Sequence, residues 1–240
     1  MIARYRISRL MLGVAVSGLL ALGGCASGPN AKPQDPLEPL NRGIYRFNDS
    51  VDRAVIKPVA TAYQDYTPSP LRTGVNNFFG NLRDAWSGFN ALLQARPAEA
   101  GENFARFGVN TLLGLGGVLD VASEMGLERT TLDFGLTLGR WGVPDGPYLV
   151  LPILGPSTLR DTAALTADLA ADPVGGVEHV PSRNELRVLR AVDQRAGLLR
   201  AGELLEEAAL DRYSFLRDSY LQRRHSLMGR PDPEERFDLE

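Results

Sequence analysis

The sequence predicts an all-α fold, and three observations carry the prediction. Apolar residues recur three and four apart through most of the chain, as on one face of a 3.6-residue helix. No stretch sustains the apolar–polar alternation of a half-buried strand. Pro, Ser and Gly fall where helices start and stop. With 240 residues, 44% of them hydrophobic, the chain is long enough to bury a core and is not of disordered composition.

Residues 1–24 read as an export signal. Arg4, Arg6 and Arg9 precede a short apolar run from Leu10 to Leu22, too short to span a bilayer comfortably. The run ends in Leu22-Gly23-Gly24-Cys25, which resembles a lipobox: small residues lead to the single cysteine of the chain. Cys25 is therefore the expected lipidation site and mature N-terminus, carrying more than one acyl chain as a durable anchor. An odd buried cysteine after an ordinary signal is the alternative. Cleavage removes three arginines and no acid, moving the net charge from -3 to -6. Ala26 after the cysteine, rather than Asp, implies passage to the outer membrane. Residues 25–36 are too poor in apolar groups to fold and read as a tether.

From residue 37 to 228 the elements follow in order. Ile44, Phe47, Val51 and Val55 mark an amphipathic helix that Pro58 is expected to break or restart. Pro68-Ser69-Pro70 is a stop and restart, with Ser69 as N-cap and Pro70 at the first helical position. Leu71, Val75, Phe78 and Leu82, then Trp86, Phe89 and Leu93, continue the spacing. Pro97 opens a helix bearing Phe104, Phe107 and Thr111, which Gly114, Gly116 and Gly117 end. Thr158 with Asp161 has capping-box spacing and starts an Ala-rich helix to Ala171. Residues 184–228 are helical, divided near Gly202 or Leu210, and 229–240 form a mobile acidic tail.

The stretch from Gly139 to Gly155 is different. It is apolar, interrupted by Pro144, Pro147 and Pro152 and by Gly142 and Gly146, and reads as a Gly/Pro-broken hairpin. In a lipid-contacting protein such backbone is tolerated only where it is buried in protein or lines a watery cavity. It is thus a candidate cavity wall, with a buried loop under a helical domain as the other reading.

Composition and motifs exclude much chemistry. The net charge of -3 argues against a nucleic-acid partner. One cysteine and two histidines argue against a Cys/His metal site, so no metal and no cofactor are expected. There is no Gly-x-Ser-x-Gly elbow, no His-Glu-x-x-His and no phosphate loop ending in Gly-Lys-Ser/Thr. His179 and His225 read as solvated, so no catalytic residue is assigned. Polar residues interrupting apolar faces say more: Asn41, Asn48, Asn90, Gln94, Arg106, Asn110, Asp120, Arg160 and Asp161. Each fits a cap or a satisfied core group, and together they fit the lining of an amphipathic pore. Periodicity alone does not choose between the two.

Several segments resemble the MlaA (VacJ) family of outer-membrane lipoproteins. They include Asp35-Pro36-Leu37-Glu38-Pro39-Leu40-Asn41-Arg42, Tyr45-Arg46-Phe47-Asn48, Asn90-Ala91-Leu92-Leu93-Gln94 and Arg106-Phe107-Gly108-Val109-Asn110-Thr111. The most specific are Trp141-Gly142-Val143, Gly146-Pro147-Tyr148 and Leu154-Gly155-Pro156-Ser157-Thr158-Leu159-Arg160-Asp161, and the match extends from Asp35 to Arg224. The resemblance implies a ring of amphipathic helices around a polar pore, lying in the inner leaflet of the outer membrane and facing the periplasm. It implies removal of mislocalised phospholipids from the outer leaflet, with phospholipid as transported ligand and a trimeric porin and a soluble periplasmic lipid carrier as partners. A structural or envelope-assembly lipoprotein is the alternative function. Under the resemblance Gly139, Gly142, Gly146, Pro147, Pro152 and Gly155 become candidate hinge or gate positions.

Overall fold

The computed structural model describes residues 35–229. The expected signal, the Cys25 anchor, the tether up to residue 34 and the tail from residue 230 lie outside the described residues. The helices are α1 (Glu38–Val51), α2 (Lys57–Tyr66), α3 (Ser69–Leu93), α4 (Pro97–Leu112), the single turn α5 (Val121–Glu124) and α6 (Phe134–Arg140). A two-stranded antiparallel hairpin follows, β1 (Tyr148–Leu151) and β2 (Gly155–Thr158), with Tyr148 opposite Thr158 and Leu151 opposite Gly155. Then come α7 (Leu159–Ala171), a 3-10 turn (Pro173–Gly176), α8 (Val180–Gly197), α9 (Leu199–Ala208) and α10 (Arg212–Leu227).

The all-α expectation holds, with differences that have physical causes. The hairpin carries a short ladder the sequence reading did not expect, because four residues bounded by prolines give too little alternation to register. Pro58 does not break the first rod. A π turn at Asp52–Ile56 joins α1 to α2, the Lys57 N–H donating to the Asp52 carbonyl five residues back. This wider turn accommodates a proline that has no N–H to offer. Ser69 is not the cap of α3: Pro68 holds the N-cap position and its carbonyl accepts from Leu71 and Arg72 at 3.0 and 3.2 Å. The Thr158 cap is as expected, its side chain accepting from the Asp161 N–H at 3.2 Å. The last helical region divides at Leu198 and again around Leu210, with Gly202 inside α9.

Packing contacts run in a closed circuit. α1 lies on β1, β2 on α7, α7 on α6, α6 on α3, α3 on α8, and α8 on α2, which the π turn returns to α1. Among the described residues there is accordingly no single core. Apolar residues gather in three small nodes: Ala91, Ala100, Leu132, Leu136 and Met228; Ala60, Ala196 and Leu199; and Tyr148, Val150 and Tyr213. Asp35, expected in the tether, belongs to the folded body. It is fully buried, where its carboxylate accepts from the Tyr213 hydroxyl, from Arg217 at 3.2 Å and from Asn41 at 2.8 Å.

Candidate functional site

The distribution of side chains is the reverse of that in a water-soluble helical protein. On α3 the buried residues are small or polar: Gly74, Gly80, Asn81, Asp84, Ser87, Gly88, Asn90 and Ala91, with Phe79. The apolar stripe read from the sequence is not the sealed face: Leu71 is 62% and Phe89 46% exposed, and Val75, Phe78, Leu82, Trp86 and Leu93 are half-buried. α4 repeats the pattern, burying Ala100, Asn103, Arg106 and Asn110 and exposing Phe104. On α1 it is Asn41 that is buried while Leu40 and Phe47 are exposed. The end of α4 presents Leu112 and the loop beyond it Leu113, Leu115 and Leu119, and the hairpin tip presents Ile153 and Leu154. Among the described residues, large apolar side chains left at the surface outnumber those sealed inside. A monomeric soluble protein rarely leaves so much apolar surface in water.

Glycines let the inward faces come together. A Cβ on Gly88 would stand 3.0 Å from the Phe104 ring and one on Gly80 2.8 Å from the Arg129 guanidinium. The polar residues singled out in the sequence then fill the seams. Arg106, 1% exposed, grips both oxygens of Asp120 at 2.7 and 2.8 Å, donates to the Leu127 carbonyl and lies 3.4 Å from Asp84. Asn110 donates to Asp120 at 2.9 Å and accepts from the Ala122 N–H at 2.9 Å. Burial raises the proton affinity of Asp84 against its arginine partners. Desolvation also pushes Asp120 up, but bonds from Ser123, Asn110 and Arg106 outweigh it and bring its pKa down to about 2. Asn90 and Gln94 both reach the Thr137 hydroxyl, at 2.7 and 3.0 Å. Arg160 pairs with Asp145 and Asp161, and Arg224 with Asp161 and Asp133.

Asn41 and Asn48 act on the hairpin. The Asn41 amide donates to the Tyr148 carbonyl and accepts from the Val150 N–H, both at 2.9 Å. Asn48 donates to the Leu151 carbonyl at 2.9 Å and accepts from the Ile153 N–H at 2.8 Å. Seven helical residues rise about 10.5 Å and three strand residues about 10 Å, so two asparagines seven apart match backbone groups three apart. They stand in for a third strand along the free edge of β1. Asn41→Ala is expected to destabilise the protein by about 2–4 kcal/mol, because it strands a buried N–H, a carbonyl and the Asp35 carboxylate together. Asn48→Ala, at a half-buried position, is expected to cost nearer 1 kcal/mol. Thermal melts in detergent check both.

Asn41, Asn90, Gln94, Arg106, Asn110 and Arg160 are each 4% exposed or less. They are tied inside the wall rather than displayed along an open lumen, because a side chain lining water keeps accessible surface. Asn48 and Asp120 retain partial exposure, and the Asp161 side chain 8%. The glycines also divide. Gly139 is a packing position in α6, where a Cβ would lie 2.3 Å from Met228 Sδ and 2.7 Å from Arg160 Nη1. Gly142, Gly146 and Gly155 have φ of 98°, 68° and 85°, which their lack of a side chain allows. Pro147 accepts from the Leu159 N–H at 3.0 Å and Pro152 opens the tip turn. Ile153, a β-branched residue at φ 66°, holds the tip in a strained form.

His179 is exposed as expected, whereas His225 is half-buried against a carboxylate rather than solvated. His179 caps α8, its Nδ1 accepting from the Ser182 N–H, and His225 Nε2 meets Asp145 at 2.8 Å. Sequence reasoning missed Asp35, Asp84, Asp145 and Thr137. A polar and small-residue stripe at helical spacing, Asn81, Asp84, Gly88, Ala91 and Gln94, was there to find and marks the buried face of α3. No helix among the described residues is long and apolar enough to cross a membrane.

Comparison with known proteins places this architecture. The family model described as MlaA lipoprotein matches residues 33–227. The chain is 40% identical over 226 residues to the intermembrane phospholipid transport system lipoprotein MlaA of Escherichia coli K12 and to that of Shigella flexneri, covering 92% of this chain and 87% of each relative. The Haemophilus influenzae protein of the same name is 36% identical, with 87% of this chain and 86% of the relative covered. A solved chain from "Structural basis for maintenance of bacterial outer membrane lipid asymmetry" superposes with TM-score 0.71 and 38% identity, over 81% of this chain and 98% of that one. The ring arrangement agrees with this neighbour and with the circuit of contacts. The chain belongs to the MlaA lipoprotein family.

Proposed function

We infer that this chain is a lipoprotein of intermembrane phospholipid transport, which removes mislocalised phospholipids from the outer leaflet of the outer membrane. The observation that carries the reading is the outward apolar, inward polar arrangement of α1, α3 and α4. Such a body is at home among acyl chains, and none of its helices has to cross the membrane to be there. At about 0.8 kcal/mol per methylene, lifting both chains of a phospholipid into water costs on the order of 20 kcal/mol. A chain with no nucleotide-binding loop has no means to supply that. It can instead give the headgroup a polar path while the tails keep apolar contact, which is transport without chemistry on the lipid.

In this reading Cys25 carries the anchor, residues up to 34 are the tether, and the protein sits in the inner leaflet of the outer membrane facing the periplasm. A trimeric porin beside the apolar surface and a soluble periplasmic lipid carrier are its partners. The hairpin is the gate. Its tip is apolar, its stem turns on Gly142 and Gly146, and Asn41, Asn48 and the Asp145 pair with His225 hold it in place.

Phospholipid in the outer leaflet, labelled on intact cells by a membrane-impermeant amine reagent, is expected to rise when the gene is deleted and to return with plasmid-borne protein. No rise, with the protein present in the parent strain's outer membrane, favours a structural lipoprotein. A Cys25→Ala protein exported by an ordinary cleavable signal is expected to remain with the membranes, and release into the periplasm counts against a lipid-facing body. Gly142→Ala with Gly146→Ala is expected to impair lipid removal at normal protein level, because both side chains would enter left-handed backbone. Unchanged asymmetry removes the hairpin from the mechanism.

A further inference from the structure

A cavity of about 400 Å³ lies among α2, α3, α8 and the start of α9, walled by Tyr63, Arg72, Thr73, Asn76, Asp193 and Arg200. Its size is that of a small-molecule site. Asp193 is buried, and both its oxygens already accept, from the Tyr63 hydroxyl at 3.1 Å and the Asn76 amide at 3.2 Å. The guanidinium groups are not matched in this way. Arg106, Arg160, Arg195, Arg217 and Arg224 each face a carboxylate. Neither Arg72 nor Arg200 makes a side-chain hydrogen bond or ion pair with any described residue, and Arg72 Nε is sealed from solvent with no acceptor. A donor desolvated without a partner calls for an acceptor from outside the chain.

We propose that this cavity binds the phosphodiester of a phospholipid headgroup, with Arg72 and Arg200 as its cationic partners and Thr73 as a hydroxyl donor. Guanidinium forks match phosphate oxygens in geometry and charge. The surroundings favour a lipid over a free anion. Leu71 and Leu198, next in the chain to the lining residues Arg72 and Gly197, are 62% and 58% exposed. They offer acyl chains an apolar surface beside a cavity that takes only the headgroup. The choice of a lipid rests on the transport reading above, whereas the phosphate chemistry does not.

The test uses the full chain purified in detergent and titrated with dihexanoyl phosphatidylglycerol or with inorganic phosphate, followed by ³¹P NMR. The short-chain lipid is expected to bind saturably, at least tenfold more weakly to R72Q/R200Q, and to recover only part of its affinity with R72K/R200K, which keeps the charge but not the fork. The exposed single variant R200Q, which leaves the packing untouched, is expected to weaken binding several-fold even if the double variant folds poorly. Wild-type affinity in R200Q and in a folded R72Q/R200Q overturns the site. Inorganic phosphate that binds as tightly and displaces the lipid overturns the lipid assignment. A wild-type protein that fails the outer-leaflet assay yet shows arginine-dependent lipid binding leaves this site standing and overturns only the transport reading.

Discussion

Arg106→Ala is expected to destabilise the protein by about 3–5 kcal/mol, enough to abolish accumulation of the folded chain. The guanidinium is 1% exposed and joins two carboxylates from different elements, Asp84 of α3 and Asp120 ahead of α5. Removing one partner of a buried ionic group strands the others in a poor solvent for charge, which costs far more than the intact group contributes. Arg129 still reaches Asp84 at 2.8 Å but Asp120 only at 3.9 Å, so the weakened charge compensation falls mainly on Asp120, and the Leu127 carbonyl loses its donor. Thermal melts and protease resistance in detergent measure the loss. Arg106→Met with Asp84→Asn and Asp120→Asn, which removes charge on both sides, is expected to recover part of it.

Acid should act on the same cluster. Asp120 has its pKa lowered to about 2 in the folded protein from 3.8, so its share of stability is complete above about 4 and lost as the pH falls toward 2. Asp84 works with the opposite sign, because burial raises its proton affinity and its share favours the folded state as the pH falls. Asp120→Asn is therefore expected to flatten the acid limb of a melting-temperature profile between pH 4 and 2. A limb unchanged in shape places the acid sensitivity elsewhere.

Gly114→Ala is the second large effect, expected at about 3 kcal/mol or more. A Cβ there would lie 2.2 Å from the Leu119 carbonyl oxygen and 2.5 Å from that of Asn110, both backbone atoms that no rotamer change can move. Overpacking of this kind typically costs about 1–3 kcal/mol and more when backbone must shift. The turn that would open holds the exposed Leu112, Leu113, Leu115 and Leu119 in place, so loss of membrane attachment should accompany loss of stability. Gly101→Ala in the preceding helix α4 meets nothing within 4 Å and is expected to stabilise by about 0.5–1 kcal/mol. Paired melts of the two variants separate crowding from propensity.

Much of the fold was legible because helix punctuation is local chemistry. Pro97, Thr158 with Asp161, and the glycines after Leu112 all sit where the structure ends or begins a helix. The facing of those helices was not legible. Periodicity finds an apolar stripe but does not say what it meets, and on α3 the stripe is split: Leu71 and Phe89 are exposed, while Val75, Phe78 and Trp86 are half-buried and Trp86 bonds to Asp168. The polar positions were recognisable as a set, yet the work of each depends on distant partners. Asn41 meets Tyr148 across 107 residues, a distance no spacing rule covers. Asp35 read as tether for the same reason, since its partners Tyr213 and Arg217 lie near the other end of the domain.

The π turn before Pro58 has an effect on phase. In an unbroken α-helix, at about 100° per residue, Ala60 would stand about 100° around the rod from Asn41 and Asn48. One residue absorbed in the wider turn takes up roughly that angle, so Ala60, which packs on α8, comes round to the azimuth of the asparagines that hold the hairpin. The bulge works as an angular gear: it allows a single rod to present one continuous inner face to two unrelated neighbours. Shortening that turn by one residue would rotate everything after it outward, trading the α8 contact for the hairpin contact and opening the circuit at a point far from any gate.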